Sequence, residues 1–594
     1  MPEYIHEEEA LGKAYDSRLI KRLLKYLKPY VGKTTLSLLM LIFWTALRLA
    51  SPIIMKLALD KYISKGDIKG LGILMLAMFT LIIFQSIVRY YQILIMSFIG
   101  QYLMRDMRRQ IFDKLQDIQM SFFDHNPVGR LITRITSDVD AIYEFLTQGI
   151  ITLITDVTIV IGSTIMLFIL QPTLALIAVS IMPPMMVAAV VFKNLATKFY
   201  REVRVKTAKV NAFLQESITG VRTIQWSGRE DINKGMFAKI SGELKGSQLK
   251  AVLNYTVFFQ AIDLFETVAT GFVVWYGSLL VLKVAITVGL LVAFTSYLKE
   301  FYASMYDISD HFNTMQEAMT SSERIFKLLD EPVVIKEKID AIWPEEPING
   351  HVEFQNVQLE YQPGQPVLKG VSFEVKPGQK VAVVGPTGAG KSSIISLLSR
   401  LYDIQGGDIK IDGHSIYDLK LGYLRSQISV VLQDPFIFSG PIIDNITLLS
   451  PISREKAREA ARLVGAEDFI LKLPEGYDYV LTERGATLSV GQRQLLSFAR
   501  AIAHDPRILV LDEATSSIDT ASETLIQEAM KNMMAGRTSI VVAHRLSTIK
   551  DADLVLVISD GKIAESGSHD ELLKKGGMYK TLYELQFKAQ ERNS

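Results

Sequence analysis

Six long apolar runs in the first half of the chain constrain its fold more than any other feature of the sequence. Each run can supply the roughly 20 apolar residues that a membrane-spanning helix needs. A single run of this kind could be a buried core helix of a soluble protein, but six in succession argue against a soluble fold. The runs cover residues 33–57, 71–95, 147–170, 173–192, 257–282 and 286–306. The sequence therefore predicts an α-helical membrane domain of six transmembrane helices.

The distribution of lysine and arginine predicts how these helices are oriented. The segment 18–33, before the first run, is strongly basic, and such segments stay on the cytoplasmic side. The charged stretches 101–140 and 193–250 precede the third and fifth runs, and their pattern is helical. We therefore expect an integral protein of the cell (inner) membrane with both termini in the cytoplasm. The acidic first residues lack the apolar segment of a signal peptide.

The bulk composition excludes several classes of partner and site. The formal net charge is +1, which argues against a protein that binds nucleic acid through phosphate attraction. The sequence contains no cysteine, so it offers neither a disulfide framework nor a thiolate metal site. A chain of 594 residues is too long for one hydrophobic core. We therefore expect more than one folding unit.

The character of the sequence changes after about residue 330. We divide the chain into a transmembrane domain with long cytoplasmic helical extensions at 1–330, a Pro- and Glu-rich linker at 331–349, and a second domain at 350–594. The segments 352–361 and 371–379 alternate apolar and polar residues, which predicts antiparallel strands. Strands and helices then alternate, which is typical of an α/β domain with a largely parallel core sheet.

A phosphate-binding loop follows the apolar strand at 381–384. Its glycines let backbone N–H groups face phosphate oxygens, and the helix that follows adds a favourable N-terminal dipole. In such a P-loop, Lys391 is expected to reach the β- and γ-phosphates and Ser392 to hold Mg²⁺. The residues predicted to cradle the nucleotide are Gly385, Pro386, Thr387, Gly388, Ala389, Gly390, Lys391, Ser392 and Ser393.

A pair of acidic residues supplies the groups that a P-loop needs from a neighbouring strand. Residues 508–511 are apolar, and Asp512 and Glu513 follow them. Asp512 can hold Mg²⁺ directly or through water, and Glu513 can polarise the attacking water. Taken alone, such a pair could be a solvated strand end. With the P-loop upstream, the catalytic interpretation of the pair is favoured, in a domain of the α/β P-loop ATPase type.

The motifs together resemble the nucleotide-binding domain of an ABC transporter over residues 350–580. The resemblance implies that Tyr361 stacks on adenine, that Gln433 senses the γ-phosphate, and that Asp519 lies in the D-loop. It implies ATP and Mg²⁺ as cofactors. The catalytic groups would be Lys391, Gln433, Glu513 and His544. The Mg²⁺ ligands would be Ser392, Gln433 and Asp512.

One motif departs from the family pattern. The sequence reads LSVGQ where the family has LSGGQ, so that Ser489, Gly491 and Gln492 are retained and Val490 replaces a glycine. In this family two nucleotide domains meet head to tail, and each signature contacts ATP held by the partner. Valine adds bulk beside that nucleotide and restricts the backbone. The resemblance therefore implies a chain with a sound catalytic glutamate and a degraded signature.

The first domain resembles the family independently of the second. The segments 121–142 and 213–225 are similar to cytoplasmic loops of ABC exporters, whose tips press on the nucleotide domains. Six membrane helices ahead of one nucleotide domain form a half-transporter, so we expect a second subunit. A heterodimer with one degenerate ATP site is the favoured interpretation. A homodimeric exporter, and a nucleotide-gated channel or regulatory subunit, are the alternatives.

The substrate is the least determined property of this sequence. Ionisable residues inside membrane spans are costly and usually face a cavity or a partner. The candidates are Arg48, Arg89, Asp156, Asp263 and Glu266. Arg48 could pair with one of the acids instead of contacting substrate. Drugs, lipids and peptides, delivered from the cytoplasm or the inner leaflet, all remain open.

Overall fold

The chain divides into two units in a computed structural model that describes residues 16–512, 520–543 and 545–587. One unit comprises the chain up to Gln116 together with Val128–Glu331. The other comprises Asp117–Pro127 together with the chain from Pro332 onward. The short segment Asp117–Pro127 therefore packs with the second unit although the chain on both sides of it belongs to the first.

The first unit is helical, as predicted. Between its α-helices, the short 3₁₀ and π turns Lys28–Tyr30, Ala58–Ile63 and Phe145–Gly149 continue the helical path. Its α-helices are Ser17–Leu27, Val31–Leu57, Ile68–Asp117, Val128–Ile135, Ser137–Glu144, Ile150–Leu170, Pro172–Val179, Met182–Thr219, Val221–Trp226, Glu230–Leu282 and Val288–Asp330.

Five helical segments of the described residues are long and apolar enough to cross a membrane. They are Ser17–Ile63, Ile68–Asp117, Val128–Leu170, Pro172–Thr219 and Glu230–Leu282, and they contain the first five predicted runs. All but the first two residues of the sixth run lie in Val288–Asp330, which has 43 residues but is not among these five. Lys299 and Glu300 lie inside that run and lower its apolar character.

The long helices exceed what a bilayer requires. Ile68–Asp117 has 50 residues and Glu230–Leu282 has 53, which at 1.5 Å per residue gives about 75–80 Å. The hydrocarbon core of a bilayer is only about 30 Å thick. These helices therefore continue well beyond the membrane, in agreement with the predicted helical character of the charged stretches.

One core cluster of the membrane unit is built from several helices. Leu167, Ala175, Val273 and Phe294 are buried in one cluster, and each comes from a different helix. The buried Tyr297 donates a hydrogen bond to the backbone carbonyl of Leu49. Its hydroxyl thereby has a partner inside an otherwise apolar cluster, as a buried polar group requires.

The second unit contains two main sheets, which confirms the predicted α/β class. The first is antiparallel and pairs Val352–Gln362 with Gln365–Val375. The first of these strands matches the predicted strand 352–361, whereas the second begins six residues earlier than the predicted strand 371–379 and ends four residues earlier. The order in this sheet is Gln365–Val375, Val352–Gln362, Gly406–Ile411 and His414–Ser415. The order in the second sheet is Lys562–Gly567, Leu554–Ser559, Lys380–Val384, Thr538–Val542, Ile508–Asp512 and Ile428–Val431.

The six-stranded sheet is parallel except for the edge strand Lys562–Gly567. Its side chains alternate between two faces, because successive residues of a strand point to opposite sides. Val381 and Val383 enter one core cluster, whereas Ala382 and Val384 enter another. Both faces are therefore covered, which explains why the strand sequences are continuously apolar.

Short helices complete the second unit. The small strands Gly440–Pro441 and Val480–Leu481 pair with each other. The α-helices are Met120–His125, Lys391–Leu398, Leu421–Gln427, Ile442–Thr447, Arg454–Leu463, Glu467–Ile470, Val490–Ala503, Thr520–Met534, Leu546–Lys550, His569–Lys575 and Met578–Leu582. The remaining short turns are Gly476–Asp478, Glu483–Gly485 and Tyr583–Phe587.

Candidate active site

The predicted phosphate-binding loop joins the central strand Lys380–Val384 to the helix Lys391–Leu398. Gly385 opens the loop with φ of 153°, and a Cβ at this position would lie 2.2 Å from the carbonyl oxygen of Ile558. No larger residue fits there without moving the neighbouring strand. Gly390 caps the helix with φ of 102°, a conformation that glycine adopts readily. The loop therefore has the strand–loop–helix geometry that the sequence predicts.

The side chain of Lys391 turns back into the phosphate-binding loop. Its Nζ atom donates to the carbonyl oxygens of Gly385 and Pro386, at 2.9 Å each, and the residue is only 8% exposed. Burial lowers the pKa of this lysine, and the charge of Asp512 opposes that effect. The ammonium group is thus held at the loop, where a lysine can neutralise phosphate charge.

Ser392 and Asp512 meet at the end of the loop. The Ser392 hydroxyl donates to Oδ2 of Asp512 at 3.4 Å. Asp512 ends the strand Ile508–Asp512, and Gln433 follows the parallel neighbouring strand Ile428–Val431. A hydroxyl and a carboxylate are oxygen donors of the kind that Mg²⁺ prefers. The donor set therefore fits the predicted metal, and the exposed Gln433 lies in the loop after the adjacent strand.

Tyr361 lies beside the helix that follows the loop. It is near the end of strand Val352–Gln362, and its ring is partly exposed. Its hydroxyl donates to Oγ of Ser393 at 2.9 Å. The ring of Tyr402 contacts it edge-on, with 4.9 Å between ring centroids. Sequence reasoning missed Tyr402, because no motif marks it and only the fold brings the two rings together.

The signature segment forms the start of the helix Val490–Ala503. Ser489 is the N-cap of this helix. Its hydroxyl oxygen accepts a hydrogen bond from the backbone N–H of Gln492, and its own backbone N–H donates to the side-chain oxygen of Gln492. Gly491 is buried, whereas Val490 is 45% exposed. Val490 is a helical residue and is not among the residues with positive φ. The backbone conformation at this position does not require glycine. Valine therefore alters the signature only by the volume of its exposed side chain.

Three predicted site residues lie outside the described residues: Glu513, Asp519 and His544. Their roles stay predictions. The described strands Ile508–Asp512 and Thr538–Val542, which precede two of them in the chain, are parallel neighbours in the sheet.

Of the charged residues predicted in the membrane helices, the two arginines lie near each other, but neither forms an ion pair with a predicted acid among the described residues. Arg48 pairs with Glu300, at 2.6 Å between Nη2 and Oε2, rather than with any of the predicted acids. Arg48 and Arg89 both approach the ring of Trp44, at 5.5 and 4.8 Å from its centroid. Glu300 was not singled out from the sequence, although a charge inside the run 286–306 was a usable signal.

The three predicted acids differ in their surroundings. Asp156 is 4% exposed, and its Oδ2 atom has no hydrogen-bond partner among the described residues. Glu266 is half-buried, whereas Asp263 is exposed. Of the three, Asp156 is the one whose burial leaves a polar atom unsatisfied, and such atoms call for an explanation.

Comparisons with known proteins agree with this geometry. Residues 34–305 match the family described as ABC transporter transmembrane region, and residues 368–516 match the family described as ABC transporter. The chain is 39% identical to the Bacillus subtilis ABC transporter ATP-binding protein YknV, covering 98% of this chain and 97% of that protein.

Two further relatives carry functional names. A probable multidrug resistance ABC transporter ATP-binding/permease protein, YheH of Bacillus subtilis, is 37% identical over 88% of this chain and 77% of its own length. An ATP-dependent lipid A-core flippase of Syntrophus aciditrophicus is 33% identical over 96% and 95%. A solved bacterial Atm1-family ABC exporter with ATP bound superposes with a TM-score of 0.78 and 27% identity, covering 93% of this chain and 99% of that one.

The contact between Ser392 and Asp512 generates a prediction. Ser392→Ala removes one of the oxygen donors at the end of the loop, so we expect kcat/KM for Mg²⁺-dependent ATP hydrolysis to fall at least about tenfold. The matched control is Ser396→Ala, which removes a hydroxyl one turn along the same helix. Steady-state hydrolysis at varied Mg²⁺ checks this, and equal activity of the two variants would contradict the assigned site.

Proposed function

Because the chain belongs to the ABC transporter family, with a transmembrane region of the exporter type and an ABC ATPase domain, we propose that it exports hydrophobic or amphipathic compounds from the cytoplasm or inner leaflet. It is an integral membrane protein of the ATP-driven multidrug or lipid exporter type, in which ATP hydrolysis is coupled to transport. One observation carries the proposal: a P-loop in which Lys391 bonds the loop carbonyls and Ser392 contacts Asp512 lies in the same chain as five membrane-length apolar helices.

The site residues divide the proposed hydrolysis among them. The loop amides and Lys391 bind the phosphates, Tyr361 stacks on adenine, and Gln433 and His544 contact the γ-phosphate. Ser392, Gln433 and Asp512 would hold Mg²⁺, which when bound neutralises phosphate charge. Glu513 orients water and accepts its proton. The contacts of Lys391 support its role in phosphate binding, because its buried ammonium group bonds the carbonyl oxygens of the loop.

Transport follows from the closing of two nucleotide domains. ABC exporters act as dimers, and in the proposed cycle ATP draws two nucleotide domains together head to tail. Asp519 and the signature residues of one subunit then complete the ATP site of the other subunit across the interface. Closure opens the membrane cavity outward, and hydrolysis resets it. We place both termini in the cytoplasm and the protein in the cell membrane, because the segment before the first membrane helix is basic.

We propose a heterodimer in which this chain supplies the sound catalytic glutamate. The exposed valine side chain at the first position of the signature helix supports this arrangement, since it adds volume where a glycine would leave space for the partner's nucleotide. A homodimer that tolerates valine is the second candidate. The intact capping box of Ser489 and Gln492 favours it, because the helix N-terminus is still ordered for anion binding.

The catalytic proposal predicts the behaviour of Glu513→Gln. We expect ATP binding within about threefold of the wild-type value, since affinity depends on Tyr361 and the P-loop. Hydrolysis should fall by about 10²–10⁴-fold, the usual contribution of a general base. Vanadate-sensitive ATPase assays and nucleotide-binding measurements check both values. Near-normal turnover would exclude Glu513 as the base, and a wild-type protein without vanadate-sensitive turnover would favour the channel or regulatory alternative.

The substrate proposal concerns the acids of the membrane helices. Asp156 is buried with an unsatisfied oxygen, so Asp156→Asn should lower the transport of lipophilic cations several-fold while changing basal ATPase activity less than twofold. Glu266→Gln should act in the same direction. The exposed Asp263 provides the matched control Asp263→Asn. Dye efflux from inverted vesicles checks this, and unchanged transport in Asp156→Asn and Glu266→Gln would show that both acids are structural.

The signature proposal distinguishes the two dimers. In a heterodimer whose partner lacks a catalytic glutamate, Val490→Gly should raise turnover little, because the realigned nucleotide still lacks its water-polarising group. Repair of both defects should exceed the sum of the single changes. In a homodimer each copy contributes Glu513 and Val490, so the single substitution should raise turnover several-fold. ATPase assays on the purified assembly, with its subunits identified by mass, decide between these outcomes.

A further inference from the structure

We propose that Asp124 and Tyr402 are positioning residues for ATP, which hold the ring of Tyr361 in place from the segment Asp117–Pro127. The inference rests on the proposed contact between Tyr361 and adenine. It adds two residues that the sequence does not assign to the nucleotide site, and it makes ATP affinity depend on a segment whose chain enters and leaves through the membrane unit.

The segment Asp117–Pro127 is anchored in the second unit by side-chain contacts. It contains the short helix Met120–His125. Before that helix, the side-chain oxygen of Gln119 accepts a hydrogen bond from the backbone N–H of Val334 at 3.2 Å. Within the helix, Asp124 accepts from the hydroxyl of Tyr402 at 2.7 Å. The two contacts fix the segment on both sides of the helix start.

Tyr402 is a well-defined donor to Asp124. Burial is the main cause that raises the pKa of its phenol, and the hydrogen bond to the nearby carboxylate raises it further. The hydroxyl therefore keeps its proton at all physiological pH values and continues to donate. A hydrogen bond to an ionised carboxylate is stronger than one between neutral groups. The ring also packs against the core of the nucleotide unit, so the tyrosine has little freedom to turn away.

The ring of Tyr402 touches the proposed adenine platform. It meets Tyr361 edge-on, with centroids 4.9 Å apart and planes at 76°. Tyr361 in turn donates its hydroxyl to Ser393, which follows the phosphate-binding residue Ser392 in the chain. Both ends of Tyr361 are therefore restrained: the ring by Tyr402 and the hydroxyl by the loop helix. Loss of the contact with Asp124 releases the first restraint and leaves the second.

This arrangement predicts a change in affinity without a change in chemistry. The reacting phosphate is bound by Lys391 and Ser392, which the two residues do not touch, so kcat should be preserved. A less well-positioned ring should bind adenine less tightly, so KM for ATP should rise. The effect should also be confined to ligands with a base, because a bare phosphate chain uses only the loop.

The test uses the full-length protein purified in lipid. Tyr402→Phe keeps the ring and removes the donor, and Asp124→Ala removes the acceptor. We expect each to raise KM for ATP about three- to tenfold with kcat within twofold. The double variant should raise KM no further, because both changes remove the same bond. The inhibition constant of inorganic tripolyphosphate should be unchanged. The control is Tyr423→Phe, which removes a hydroxyl bonded to the Glu346 carbonyl in the same unit.

The outcomes separate this inference from the proposed function. If Tyr361→Ala raises KM for ATP but Tyr402→Phe and Asp124→Ala do not, the positioning role is wrong and the adenine contact stands. If Tyr361→Ala leaves KM unchanged, the adenine contact itself fails. If tripolyphosphate inhibition weakens as much as ATP binding, the variants disturb the whole unit, and the positioning role is likewise overturned.

Discussion

The need to satisfy every backbone hydrogen bond inside the bilayer determines the architecture of this chain. No water is present in the hydrocarbon core to bond exposed N–H and C=O groups, and a helix meets this requirement because it bonds its backbone groups within one segment. In Ile68–Asp117 and Glu230–Leu282 the helix continues for 50 and 53 residues. A helix of this length is more than twice as long as the hydrocarbon core is thick, so part of it lies outside the membrane. The segment Asp117–Pro127, at the end of the first of these helices, belongs to the nucleotide unit.

The nucleotide unit follows a second geometric rule, which gathers the candidate site at one sheet edge. Parallel strands end on the same side, and ligands of open α/β sheets bind beyond those ends. The strands Lys380–Val384, Ile508–Asp512 and Ile428–Val431 supply the phosphate loop, Asp512 and the segment with Gln433. The phosphate loop and Asp512 are more than a hundred positions apart in sequence, and Gln433 lies between them. The sheet brings them together because each is placed just after, or at, the last residue of a parallel strand.

The sequence predicted what depends on local pattern and missed what depends on pairing between distant elements. Apolar runs, alternating strands and the glycine-rich loop all have a period or a spacing, so their helices, strands and turn were found. The partner of Arg48 is Glu300, 252 positions later, and no periodicity connects the two. The contact of Asp124 with Tyr402 is of the same kind. Lys299 and Glu300 also explain why the sixth span carries a weaker apolar signal than the other five.

The signature helix shows how a local departure from a family pattern should be weighed against the structure. From sequence, valine in place of glycine implied both added bulk and a restricted backbone. The helix begins at Val490 with ordinary helical geometry, and the two hydrogen bonds between Ser489 and Gln492 are formed in its presence. The dipole and the free N–H groups at this N-terminus are thus retained. What valine changes is the volume of a side chain that is 45% exposed. In the proposed dimer its consequence depends on what faces this side chain, so whether the signature is degenerate is a property of the dimer rather than of the chain.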